Sequence, residues 1–263
     1  MNNPNFIDTI FRVPSIIKKA LLSPSRFFVL LLITAFNLST IGAQQLSKVV
    51  NPQIGSQGSG LGCGFNFVGA TYPFGMVQFT PSFFSPHKGF VVNQLSGAGC
   101  PHMGNFPVLP LAGQLKESPN GMDGFNKYSS VNKAHAGFVS LEMQDLTTAN
   151  LTVNKRSAIA NFKFDESTQT ATVIIGAGVS STKIKKARVN ITSDTSCEGY
   201  AVGGDFCGSS LKYKIYFVAE FDRASNSNGV WEKKELLAGV KQASGNDSGA
   251  YFSFDTSTNS EVN

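Results

Sequence analysis

The sequence predicts an all-β protein, an antiparallel β-sandwich that follows an N-terminal export segment. Three observations carry this. Short runs rich in β-branched and aromatic residues recur, cut by Gly, Asn, Asp and Ser, which is the pattern of half-buried strands joined by turns. No amphipathic helical period follows Ala43. The 263 residues are 41% hydrophobic and 15% charged, a globular composition with enough chain for a sizeable core. Only one stretch is long and apolar, which excludes a multi-pass membrane protein.

That stretch comes first. Arg12, Lys18, Lys19 and Arg26 precede the apolar run Phe27 to Phe36, and small residues end at Ala43. A basic start, a short apolar core and a small-residue end read as a secretory signal peptide over residues 1–43. The expected location is secreted or periplasmic. The remainder, residues 44–263, carries 18 Lys/Arg and 16 Asp/Glu. Its near-neutral balance gives no reason to expect a nucleic-acid partner, and with the signal removed none to expect a membrane one.

The expected strands follow in order. They are Gly75 to Phe79, Gly137 to Met143, Asn150 to Asn154, Ala158 to Phe164, Thr170 to Ile175, Lys186 to Thr192, Leu211 to Phe221 and Gly249 to Phe254. Most alternate apolar with polar residues, and close spacing of short strands means a sandwich or barrel. All four cysteines, Cys63, Cys100, Cys197 and Cys207, follow the signal, and an even count in an exported chain favours disulfides. A hairpin staple between Cys197 and Cys207 is one expectation, leaving Cys63 with Cys100. Three connectivities are open.

Several motifs have weak chemistry. Val173-Ile-Ile-Gly-Ala-Gly178 imitates a strand and a dinucleotide loop, but strand alternation follows where a helix is needed. Cys63, His87, Cys100 and His102 fit no compact zinc spacing. Ser96 does not sit in a nucleophile elbow. Asn150, Asn190 and Asn246 begin glycosylation sequons.

The specific segment runs from Val50 to Pro110. It holds Val50-Asn-Pro-Gln-Ile-Gly55, Gly69-Ala-Thr-Tyr-Pro-Phe-Gly-Met-Val-Gln-Phe-Thr-Pro81, Gly89-Phe90 and Leu95-Ser-Gly-Ala-Gly-Cys-Pro-His-Met-Gly-Asn-Phe-Pro-Val-Leu-Pro110. These proline–glycine blocks, in this order, resemble the N-terminal domain of glycoside hydrolase family 92, the exo-acting α-mannosidases. Tyr128 to Gly137, Cys197 to Tyr200 and Tyr216 to Phe221 extend the resemblance towards the C-terminus.

The resemblance implies a β-supersandwich of the galactose-mutarotase type, paired in the family with a C-terminal (α/α)6 barrel that lies outside these residues. It implies calcium-dependent, inverting release of terminal α-mannose from glycans, with the acid, the base and most calcium ligands supplied by the barrel. No cofactor is then expected in this chain. The residues agree: Gln44 to Lys116 contains no Asp or Glu, whereas inversion needs two carboxyl groups. The expected role is a non-catalytic, substrate-pocket domain of a truncated or partial enzyme. The sugar-contact candidates are Asn93, Gln94, Ser96, His102 and Asn105. A stand-alone carbohydrate-binding or surface interaction module is the alternative. An independent hydrolase using Asp145, Glu198, Asp205 or Glu220 is a third reading, but no spacing singles out a pair.

Overall fold

The computed structural model describes residues 49–56, 65–82, 87–97, 100 and 103–263. Residues 1–43, expected to be a signal peptide, and Cys63 and His102 lie outside the described residues. From Val50 to Asn263 the chain forms one unit.

Seventeen strands are present among the described residues. The first four are β1 (Ala70–Thr71), β2 (Gln78–Pro81), β3 (Phe90–Val91) and β4 (Val108–Ala112). Then come β5 (Tyr128–His135), β6 (Phe138–Met143), β7 (Thr148–Val153), β8 (Ala158–Lys163) and β9 (Thr170–Gly176). A long hairpin follows, β10 (Ile184–Ser193) and β11 (Ser196–Gly204), and leads to β12 (Lys212–Glu220). The last five are β13 (Ser227–Glu232), β14 (Glu235–Ala238), β15 (Gln242–Ser244), β16 (Ser248–Asp255) and β17 (Glu261–Val262).

They make three antiparallel sheets. An eight-stranded sheet runs β1-β2-β3-β4-β9-β16-β13-β14. It packs against a four-stranded sheet, β12-β11-β10-β15, and a five-stranded sheet, β17-β8-β7-β6-β5. The architecture is therefore the expected sandwich, with one layer divided in two. A single core joins all three sheets, through Val173, Ile175 and Phe252 of the large sheet, Val189 and Cys197 of the four-stranded one, and Leu141, Leu151 and Phe162 of the five-stranded one.

Alternation explains most of this. Along β12, Tyr213, Ile215, Phe217 and Ala219 turn inward, while Lys214, Tyr216, Val218 and Glu220 face out, as a period of two requires. The central strands β9 and β16 are buried along almost their whole length, and there the alternation disappears because both faces are covered. Trp231 on β13 is fully buried and donates its indole N–H to the Asn120 carbonyl at 3.0 Å.

The cysteines correct the hairpin expectation. Cys100 is bonded to Cys207 across 107 residues, and Cys197 is a buried free thiol. Cys197 pairs with Ala219 at the end of the β11–β12 hairpin remote from the turn that holds Cys207. Seven strand steps separate it from Gly204, roughly 23 Å at ~3.3 Å per residue, far beyond disulfide reach. Burial, with the Glu198 charge adding, pushes the Cys197 thiol up to about 12. The bond also removes Cys100 from any zinc site.

Candidate functional site

The candidate residues converge where β3, the Asn93–Asn105 loop and the turn end of the four-stranded sheet meet. Gln94 and Met103 form an isolated bridge that closes the loop on itself. Asn93 and Asn105 lock to each other: the Asn105 backbone N–H donates to Asn93 Oδ1 at 2.7 Å, and Asn93 Nδ2 donates to Asn105 Oδ1 at 3.2 Å. The Cys100–Cys207 bond ties the same loop to the turn after β11.

Gln94 is buried. Its Nε2 donates to the Thr80 hydroxyl and, at 2.9 Å, to the Pro81 carbonyl, and its own carbonyl accepts from Gln78 Nε2. It therefore holds β2 against the loop. Ser96 is exposed, and its hydroxyl donates to Asn66 Oδ1 at 2.9 Å. Asn105 is completely buried. Its Oδ1 accepts a second hydrogen bond, from the Tyr213 hydroxyl at 2.7 Å, while its Nδ2 has no partner among the described residues. Ser180 and Ser181 complete the cluster, since the Ser180 hydroxyl and the Ser181 N–H both donate to the Met103 carbonyl, at 2.9 and 3.0 Å.

Asn93, Gln94 and Asn105 are thus brought together by one loop, Ser96 sits beside them at the surface, and His102 lies outside the described residues. The groups not identified from sequence are Tyr213, Thr80, Asn66 and Ser180. For Tyr213 a signal existed. It shares the inward face of β12 with Ile215 and Phe217, so a polar hydroxyl on an apolar stripe marks a partner to be found.

The buried amides of this cluster brace the loop, and the group it exposes is the Ser96 hydroxyl; none of the residues named is a carboxylate. The acidic residues weighed from sequence are dispersed. Asp145 accepts from the Ala112 and Thr147 N–H groups and from Asn126 Nδ2, which organises the turn after β6. Asp205 is paired with Lys185 at 3.4 Å. Glu198 and Glu220 lie on the outer face of the four-stranded sheet. Among the described residues no three His, Cys, Asp or Glu side chains converge on a metal-sized site. The Gly176-Ala-Gly178 turn is followed by β10, a strand, and Gly178 instead pairs with Ser248, donating its N–H to the Ser248 carbonyl at 2.8 Å. No helix of the described residues is long and apolar enough to cross a membrane.

A second surface lies on the outer face of the four-stranded sheet. Arg188, Tyr200 and Tyr216 are cross-strand neighbours in one row. The two tyrosine rings are 6.0 Å apart, and the Lys214 ammonium lies over both, 4.5 and 4.6 Å from their centres. An open groove of about 500 Å³ runs along this row beside Gly199.

Residues 49–263 match the glycosyl hydrolase family 92 N-terminal domain. Among solved structures, the chain is similar to the family GH92 α-mannosidase BT3965 of Bacteroides thetaiotaomicron, with 24% identity and a TM-score of 0.69 over 81% of this chain and 32% of that one. It is also similar to the family GH92 inverting mannosidase BT2199 of the same species, with 19% identity and a TM-score of 0.66 over 81% of this chain and 30% of that one. These likenesses concern the fold. Among curated proteins none matches in sequence. The chain spans about a third of the length of the solved enzymes it matches, and it belongs to the glycosyl hydrolase family 92 N-terminal domain family.

Proposed function

We propose that this chain is the sugar-facing, non-catalytic domain of an exported α-mannosidase-like glycoside hydrolase. It works beside a C-terminal helical-barrel domain that supplies the acid, the base and the metal. The observation that carries this reading is the family match over residues 49–263. The carboxylate-free loop around Asn93 supports it, because its exposed edge at Ser96 offers a hydroxyl to a glycan and no group for proton transfer. Calcium does not fit the described residues, which hold no cluster of carboxylate oxygens.

The test is an assay of purified chain for release of an aryl α-mannoside, with calcium and with chelator, alongside an amide-shift titration with α-mannobiose. The reading expects no release, and shifts confined to Asn66, Asn93, Ser96 and Asn105. Chelator-sensitive release, or shifts that avoid this loop, would overturn it.

A stand-alone carbohydrate-binding module is the second reading, favoured by the Tyr200–Tyr216 pair, half-buried and exposed respectively, since aromatic faces pack on sugar rings. Glycan-array binding that Tyr216→Ala abolishes would select it. Binding that this substitution leaves intact would reject it.

A further inference from the structure

The outer face of the four-stranded sheet is polarised. Its side chains lie on a grid set by the strand register. Lys186, Val202 and Lys214 are opposed in one row, and Arg188, Tyr200 and Tyr216 in the next. Asn190, Glu198 and Val218 make the third. The first two rows hold three cations and no acid, although residues 44–263 carry 18 Lys/Arg and 16 Asp/Glu. Strand geometry sets the Cα atoms of these three roughly 7–12 Å apart, comparable with the ~8 Å screening length at physiological salt, so their fields overlap. Lys212 extends the cationic end, and Lys185 beside it is already paired with Asp205. Glu198 and Glu220 stand at the opposite end.

Two features distinguish this face from an ordinary solvated sheet. One is aromatic. Tyr216 and Val218 are 65% and 69% exposed, large apolar groups left in water. The Lys214 ammonium lies over both tyrosine rings, an arrangement that holds the charge at the aromatic platform. The groove of about 500 Å³ runs on the other side of the tyrosine row, towards Asn190, Glu198 and Val218. The second feature is order among the polar groups. Gln242 of β15 accepts from Arg188 Nη2 at 2.6 Å and donates to Asn190 Oδ1 at 3.2 Å, so one side chain fixes both. Among the described residues Arg188 has no acidic partner within ion-pair distance. Its planar fork is held in place, and this face supplies no carboxylate to match it.

We infer that this face binds an acidic saccharide, with its ring on Tyr200 and Tyr216 and its carboxylate on Arg188, flanked by Lys186 and Lys214. This rests on the second reading above, in which the tyrosine pair is a saccharide platform, and is independent of the Asn93–Asn105 loop. Charge complementarity selects the occupant. A neutral sugar leaves the Arg188 fork without a counter-charge. A polyanion without rings leaves the tyrosines unused. The far end sets the orientation, because Glu198 accepts hydrogen bonds from sugar hydroxyls and repels a second acid. A ring with one carboxylate, turned towards Arg188, satisfies both ends.

The experiment is an amide-shift titration of the purified chain with four probes. Tetragalacturonate should move the amides of Arg188, Tyr200, Val202 and Tyr216. Its methyl ester keeps the rings and hydroxyls without the charge, and should bind at least tenfold more weakly. Hexaglutamate, with carboxylates and no rings, should also bind at least tenfold more weakly. A carrageenan tetrasaccharide, which bears sulfate and no carboxylate, should bind more weakly than tetragalacturonate. Arg188→Gln and Tyr216→Ala should each weaken tetragalacturonate at least fivefold, with circular dichroism unchanged. Lys155→Gln removes the same charge from the turn between β7 and β8, in another sheet, and should leave binding unaltered.

No shift on this face, equal binding of hexaglutamate, or equal weakening by Lys155→Gln would overturn the inference. Tighter binding of the carrageenan probe assigns the cations to sulfate and overturns the carboxylate. Failure of the second reading is visible separately. Equal binding of acid and ester overturns the acidic ligand and keeps the saccharide platform, whereas silence to all three saccharides removes both.

Discussion

His87 offers a quantitative test of the packing described above. Its ring is buried edge-on against Phe90 and Tyr128, with ring centres 6.1 and 5.5 Å away, and among the described residues neither ring nitrogen meets a partner at full hydrogen-bond geometry. Burial lowers its pKa to about 4, with the Lys127 charge adding to the effect and the Asn126 backbone opposing it. In the unfolded chain a histidine titrates near ~6.5. The folded protein therefore holds His87 neutral while the unfolded chain binds a proton, and stability falls as pH drops from ~6.5 towards 4. At ~1.4 kcal/mol per pKa unit the loss is about 2 kcal/mol at pH 5, rising to about 3 kcal/mol below pH 4.

His87→Leu, nearly equal in volume, removes the titration. At neutral pH it relieves two unpartnered nitrogens (~1–3 kcal/mol) and forfeits two ring contacts (~0.5–1.5 kcal/mol each). The net change there is small. The assay is thermal unfolding followed by circular dichroism at pH 7.5 and pH 5. At ~2–4 °C per kcal/mol for a domain of this size, the wild type should lose about 4–8 °C more than the variant between the two conditions. Carboxylates affect both proteins alike and cancel in the difference. Equal losses would refute the argument and show that His87 is solvated or hydrogen-bonded.

Other outcomes follow from the same structure. Replacing Cys100 and Cys207 together by Ser should lower stability by ~2–4 kcal/mol, read from the urea midpoint, because the bond closes a very long loop. Cys197, buried and with its thiol raised to about 12, should react with an alkylating reagent only as the protein unfolds. Tyr213→Phe removes a donor to buried Asn105 and should cost ~0.5–1.5 kcal/mol, with backbone amide shifts centred on the Asn93–Asn105 loop. Gly249→Ala would drive a methyl group into the Ile175 carbonyl and the Trp231 ring. It should leave little soluble protein at 37 °C, measured as yield against the wild type.

Strands were legible where one face is wet and the other dry. β7, β8, β10 and β12 follow the alternating runs closely, whereas β6, whose run was less regular, has no exposed residue. β5 was invisible as a strand because it is an edge. Ser129, Ser130, Asn132 and Lys133 face water, so no apolar period remains. β11 was recognisable only through its resemblance to the family, since glycines interrupt it. Those glycines have a packing cause, because Gly199 lies under the Phe217 ring and Gly203 under Tyr213. β13 was missed for a similar reason, with Gly229 pressed against Tyr251. In the site, the loop was legible and its partners were not. Tyr213 lies 108 residues from Asn105, and no local pattern encodes a contact between a loop and a remote strand. The disulfide shows the same limit. Proximity in sequence favoured Cys197 with Cys207, while the pleat turned Cys197 into the core.

Trp231 is the sole tryptophan of the chain, and it is sealed in the core with its N–H bonded to Asn120. The protein thus carries one built-in optical reporter. Its emission should be blue in the native state and move to the red only when β13 and its neighbours part. A glycan bound where we propose, at the Asn93–Asn105 loop, would touch none of these atoms, so fluorescence would follow folding and stay silent to that binding.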